Sequence, residues 1–128
     1  VFDIETNRAG DDDIGLDSVQ TIHCIVAQDL VTEEVFSYPP WELDKGVELL
    51  QNATTLIGHN IIGFDIPVLE NLTTFKQEGI KIIDTLVTSR LFYPIREGGH
   101  SLDRWGFKLG YPKISFEDYD SYSEEMME

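Results

Sequence analysis

The chain has 128 residues, 41% of them hydrophobic and 26% charged, with a net charge of −15. This is the length of one domain with enough apolar content for a packed core, which excludes global disorder and a low-complexity fibre. A single cysteine, Cys24, excludes an internal disulfide and a thiolate zinc site, and no apolar run approaches the ~18–20 residues of a membrane span. The expectation is a soluble, intracellular protein with a plain buried thiol. Its acidity should repel nucleic acid unless metal ions or a basic neighbour intervene.

In chain order, Val1 to Thr6 alternates apolar and acidic residues, which predicts a strand with Asp3 and Glu5 on one face. Asn7 to Ser18, with Asp11, Asp12 and Asp13, reads as a polar loop; its spacing lacks the glycine and distal glutamate of an EF-hand. Thr21–Gln28 and Glu33–Tyr38 are predicted strands joined as a hairpin, stopped by Pro39 and Pro40. Leu43, Val47 and Leu50 recur at helical spacing. A short buried strand, Thr54 to Gly58, leads into His59 and Asn60. A helix is then expected from about Asp65, with Pro67 in its first turn and Leu69, Leu72 and Phe75 on one side.

Lys81 to Ile83 is the next strand, and Asp84 is the expected N-cap of a helix carrying Leu86, Val87, Arg90 and Leu91. Ser101 is placed as the cap of a further helix, with Leu102, Trp105 and Leu109 inward and Gly110 ending it. A last helix is expected to begin near Ser121 or Ser123 and to be cut off at Glu128. Three antiparallel strands followed by alternating helix and strand describe an α/β protein with a mixed sheet.

Two places carry chemistry. Asp3 and Glu5 lie at i and i+2 of a strand, their Cβ atoms ~6–7 Å apart on one side. Two carboxylates so placed repel each other unless a cation neutralises them, and hard oxygen donors suit Mg²⁺ or Mn²⁺. The plainer alternative is a solvated edge-strand face. Asp65 follows a turn, Gly58-His59-Asn60-Ile61-Ile62-Gly63-Phe64, that sets it at the rim of the sheet; alone it reads as a helix cap.

Asp3-x-Glu5 on a first strand, then Asn60-x-x-x-Phe64-Asp65 at a strand-to-helix turn, resembles the first two motifs of the DEDD 3′–5′ exonucleases. The segments Ile83–Leu91, His100–Gly110 and Glu124–Met127 are similar to the proofreading domain of phage-type family A DNA polymerases. The resemblance covers nearly the whole chain. It implies a ribonuclease H-like fold, with residues 1–128 as the exonuclease domain at the N-terminal part of a larger polymerase and incomplete at its C-terminal end. It further implies the cytoplasm of a bacterial or phage-infected cell.

By the same resemblance Asp3 would bridge two divalent ions (Mg²⁺ or Mn²⁺), Glu5 would help hold the first and Asp65 the second. The substrate would be the single-stranded 3′ end of DNA, touched by Asn60 and Phe64 and by the backbone around Ile4 and Thr6, and the partner would be the polymerase domain of the same chain. The family's third motif, a Tyr or His followed four residues later by Asp, is expected beyond Glu128. The chain as given is therefore expected to lack the fourth carboxylate and to be inactive alone. Two other readings stand beside this one: a free-standing small exonuclease, and a non-catalytic ribonuclease H-like module. Of the remaining candidates, His23 is expected to be a satisfied core histidine and His59 to shape its turn. His100 is expected to cap a helix or touch DNA, and Trp41 and Trp105 to pack rather than stack on bases.

Overall fold

A computed structural model describes residues 1–7, 15–114 and 119–128. Its first layer is an antiparallel sheet of β1 (Phe2–Thr6), β2 (Ile22–Gln28) and β3 (Val35–Tyr38), in the order β1-β2-β3. Alternation produces β1: Phe2, Ile4 and Thr6 are buried, while Asp3 and Glu5 turn to the opposite face. The β2–β3 turn is held by Asp29, whose carboxylate accepts from the Val31 and Thr32 amides at 2.7 and 3.1 Å.

After a 3₁₀ turn at Pro40–Glu42, α1 (Leu43–Gln51) lays Val47 and Leu50 on this sheet. A parallel pair follows, β4 (Thr55–Gly58) with β5 (Lys81–Asp84), connected through α2 (Asp65–Leu72). β1 runs beside β4, so antiparallel strands are succeeded by parallel ones, the ribonuclease H-like arrangement. Phe2, Ile4, Ile25, Leu56, Ile61, Leu69 and Phe75 form one continuous core beneath both strand groups. Two further helices, α3 (Thr85–Phe92) and α4 (Leu102–Leu109), complete the described elements.

Gly58 makes the β1–β4 approach possible. A Cβ there would press on the Ile61 side chain and stand 2.9 Å from the Phe2 carbonyl oxygen, which belongs to a strand and has no room to retreat.

Four expectations are corrected. The residues from Leu16 to Ser18 form a 3₁₀ turn rather than open loop, while residues 8–14, including Asp11–Asp13, lie outside the described residues. α2 ends at Leu72, because the Thr73 hydroxyl takes the Phe75 amide at 3.1 Å; Phe75 is fully buried, but not as part of the helix. On α4 the expected inward face is open: Leu102 and Leu109 are exposed and Trp105 is half-buried. The α4 pattern is amphipathic, but among the described residues no layer covers its apolar side. The final helix is a single 3₁₀ turn, Glu124–Met127. Its bonds run from Met126 N to Ser123 O and from Glu128 N to Glu125 O, the i to i+3 pattern. Buried Met126 pins this turn against β2, where its carbonyl accepts the Cys24 thiol at 3.8 Å. Cys24 is the expected inert thiol, its pKa pushed up to about 12 chiefly by burial.

Replacing Gly58 with Ala should lower stability by about 1–3 kcal/mol, the usual cost of overpacking a close contact. Denaturant unfolding would show it as a lower midpoint at unchanged slope, and an unchanged midpoint would mean that β1 and β4 are free to separate.

Candidate functional site

The site is assembled by a turn and a strand. Between β4 and α2 the chain makes a tight loop in which Asn60 adopts a left-handed backbone, φ 60°, and Ile61 is plugged completely into the core. The loop is anchored from β5. Asp84 accepts from the amides of Asn60 (2.9 Å) and Ile62 (3.0 Å), and also caps α3 through the Leu86 amide (2.9 Å). One carboxylate therefore closes the turn and starts the next helix. The expected capping role of Asp84 is present, together with this anchoring role, which the sequence pattern does not reveal.

Because the turn is fixed, the start of α2 is fixed. Phe64, half-buried against the core, takes the N-cap position without a side-chain bond. Asp65 is thus the first helical residue and is freed from capping. Its carboxylate crosses to β1, where the Ile4 amide donates to Oδ2 at 3.1 Å, and it shares a hydrogen bond with the Asp3 carboxyl.

Two carboxyls in contact cannot both ionise cheaply. Asp65 is 3% exposed, and burial followed by the Asp3 charge pushes its pKa up to about 8. Asp3 keeps an open edge, yet crowding strips enough water to raise its pKa too, opposed by the Asp65 hydrogen bond and the Lys113 charge. Glu5 is half-buried in the same cleft; desolvation and Asp3 raise its pKa, and Lys113 opposes them. The cleft, about 710 Å³, runs from Asp3 and Glu5 along Trp105 and Lys113 to Glu125 and Glu128.

The structure thus brings Asp3 and Asp65 together and sets Glu5 beside them without joining it to the pair. Among the described residues, no group of three or more His, Cys, Asp or Glu side chains is gathered closely enough to hold a metal ion. The chemistry of the pair still suits a hydrated Mg²⁺ or Mn²⁺. Such ions keep several waters and are commonly bound through one or two carboxylates plus a phosphate.

Of the expected substrate residues, Ile4 and Thr6 have buried side chains, and the Ile4 amide is committed to Asp65. Asn60 is exposed at the turn. His23 is a satisfied core histidine, its Nε2 2.9 Å from the Tyr119 carbonyl. The Thr85 hydroxyl donates to the Gly58 carbonyl (3.2 Å), so His59 Nδ1 donates to Thr85 Oγ1 (3.0 Å) and shapes the turn as expected. His100 does not cap α4; Ser101 does, through the Arg104 amide. Instead Trp105 Nε1 donates to Ser89 Oγ (2.7 Å), and that hydroxyl is hydrogen-bonded to His100 Nδ1 (2.6 Å), which ties α3 to α4.

No protein-family profile matches the sequence. The DNA-directed DNA polymerase of Escherichia phage T7 is 30% identical over 145 aligned positions, which take in 92% of this chain and 20% of the polymerase. That of Enterobacteria phage T3 is 28% identical over the same extent. The chain is a distant homologue of phage DNA polymerases. It spans about a fifth of the length of these relatives. Among its described residues, no helix is long and apolar enough to cross a membrane.

The Asp65 carboxyl ordinarily titrates near 3.8 and is held up to about 8 in the folded chain. Between those limits the folded state binds a proton that the unfolded state has lost, so this contribution is present below pH ~4 and fades as pH rises toward ~8. The melting temperature of the metal-free protein should therefore fall from about pH 5 to 8, and Asp65→Asn should flatten that slope. Equal slopes in the two proteins would show that Asp65 is ordinarily ionised.

Proposed function

We propose that this chain is the 3′–5′ exonuclease (proofreading) domain of a phage-type family A DNA polymerase, hydrolysing 3′-terminal nucleotides of DNA with Mg²⁺ or Mn²⁺. The observation that carries the reading is the Asp3–Asp65 pair, two carboxyls delivered to one point by β1 and by the β4–α2 turn. The distant homology to phage DNA polymerases supports it from an independent side. In this reading the domain works in the cytoplasm as part of a longer polymerase chain, and its substrate is a single-stranded DNA 3′ end.

Asp3 and Asp65 would hold the ions, with Glu5 as the next donor on the same face. Divalent ions bound there supply an activated water and charge stabilisation for the leaving 3′-oxygen. The chain's own contribution is orientation. The Ile4 amide fixes the Asp65 carboxyl, which also shares a hydrogen bond with Asp3. Asp84, by locking the turn, keeps Asp65 from drifting with α2. Asn60, exposed at the turn beside Phe64, stands where it would meet the terminal nucleotides.

A second reading, a ribonuclease H-like module without catalysis, draws on the absence of a three-acid cluster among the described residues. Metal binding separates the two. Millimolar Mn²⁺ should raise the melting temperature of the parent protein, since a ligand bound only by the folded state stabilises it. Asp3→Ala should abolish that shift.

Digestion of end-labelled single-stranded DNA, in a chain extended toward the length of the relatives, should require Mg²⁺ or Mn²⁺. It should fall by several orders of magnitude in Asp3→Ala or Asp65→Ala with folding retained. Full activity in either variant would overturn the exonuclease assignment, and no Mn²⁺ shift in the parent would favour the non-catalytic module.

A further inference from the structure

The cleft poses an electrostatic problem beyond its metal chemistry. Its described walls carry the acids Asp3, Glu5, Glu125 and Glu128 and a single cation, Lys113. A phosphodiester entering it meets strong repulsion, of which ions at Asp3 and Asp65 would relieve only one end.

Lys113 is placed to relieve the other. Helix α4 ends in a Schellman motif: the Tyr111 amide bonds the Gly106 carbonyl at 2.8 Å and the Gly110 amide bonds Phe107 at 3.3 Å. Gly110 supplies the left-handed turn, φ 82°, and the chain then doubles back along α4. That return is close, because a Cβ on Gly106 would collide with the Tyr111 carbonyl oxygen. Pro112, with its own φ fixed, follows the turn, and Lys113 comes next on the cleft wall. Lys113 is exposed there, with Tyr111 and Ile114 beside it. Its charge reaches Asp3 and Glu5, yet among the described residues the one ion pair within 4 Å is Lys45–Glu42. Lys113 thus lies along the same cleft as the acids and forms no contact ion pair among the described residues.

We propose that Lys113 is a phosphate-binding residue, gripping the backbone of a DNA strand whose 3′ end lies at Asp3 and Asp65. This rests on the exonuclease reading and adds to it the residue that lets a polyanion enter an acidic cleft. Lysine suits the task as a point charge on a flexible stem that follows a mobile backbone. The contact is independent of base identity.

The test is equilibrium binding of a 5′-fluorescein-labelled oligothymidylate to the 128-residue protein, by fluorescence anisotropy, with Ca²⁺ supplied in place of Mg²⁺. Lys113→Ala should weaken binding about tenfold at low salt, the scale of one charge-assisted contact. The slope of log affinity against log salt should shrink by about 0.7, as expected for one phosphate on a single strand. Lys113→Arg should keep both. Gly106→Ala, which displaces the segment while leaving the lysine in place, should reproduce the loss in binding.

Equal affinity and slope in Lys113→Ala would overturn the proposal while leaving the exonuclease reading to the Asp3 and Asp65 variants. A lowered melting temperature with unchanged binding would overturn it too, by showing Lys113 to be a counter-ion of the folded protein. No binding by the parent protein, with no Mn²⁺ stabilisation, would overturn both.

Discussion

The arrangement of the whole site turns on one contact, the Asp65 carboxylate reaching past its own helix to the Ile4 amide and the Asp3 carboxyl. A buried acid beside another acid is costly unless the surrounding scaffold enforces the geometry. Three devices enforce it here. Gly58 lets β4 close on β1, Asp84 fixes the turn through two amides, and Ile61 fills the space beneath. All three act through the backbone and the core, and together they hold Asp65 against Asp3. Structural strictness is concentrated where the electrostatics are worst, the pattern expected when function rather than stability has set the sequence.

Beyond that contact the molecule obeys ordinary rules. β2 and α1 bury their apolar faces, His23 finds a carbonyl, and Cys24 lies inert beneath Met126. α3 and α4 are looser, joined by the Trp105–Ser89–His100 chain and by Arg96 over the Trp105 ring at 4.0 Å. Leu91, Phe92, Ile95 and Phe107 remain open around them. Five of the nine Lys and Arg residues fall between Arg90 and Lys113, and of these Lys113 lines the cleft.

What could be read from the sequence was local. Alternation around Asp3 and Glu5, the hairpin, the caps at Asp84 and Ser101 and the glycine after α4 all follow from short-range chemistry, and the structure has them. Asp65 was legible as a special residue only together with Asp3 and Glu5, because a lone Asp before a helix usually caps it. The misses were tertiary. Periodicity gave α4 an apolar face but says nothing about what covers it, and serine and acid spacing near Glu124 does not separate an α-helix from a 3₁₀ turn. The three-amide role of Asp84 was invisible, since two of its partners lie more than twenty residues upstream. Lys113 left a faint trace: a proline two residues after a C-capping glycine marks a sharp return.

The two tryptophans divide the molecule optically. Trp105 forms part of the cleft wall, its indole N–H tied to Ser89 and cations over its ring, whereas Trp41 stands outside the cleft against the edge of Tyr122 at 5.4 Å. The protein therefore contains a native emission probe at the place where a strand would lie and a second one away from it. With Trp41 replaced by Phe, the remaining fluorescence reports cleft occupancy alone, without any attached dye.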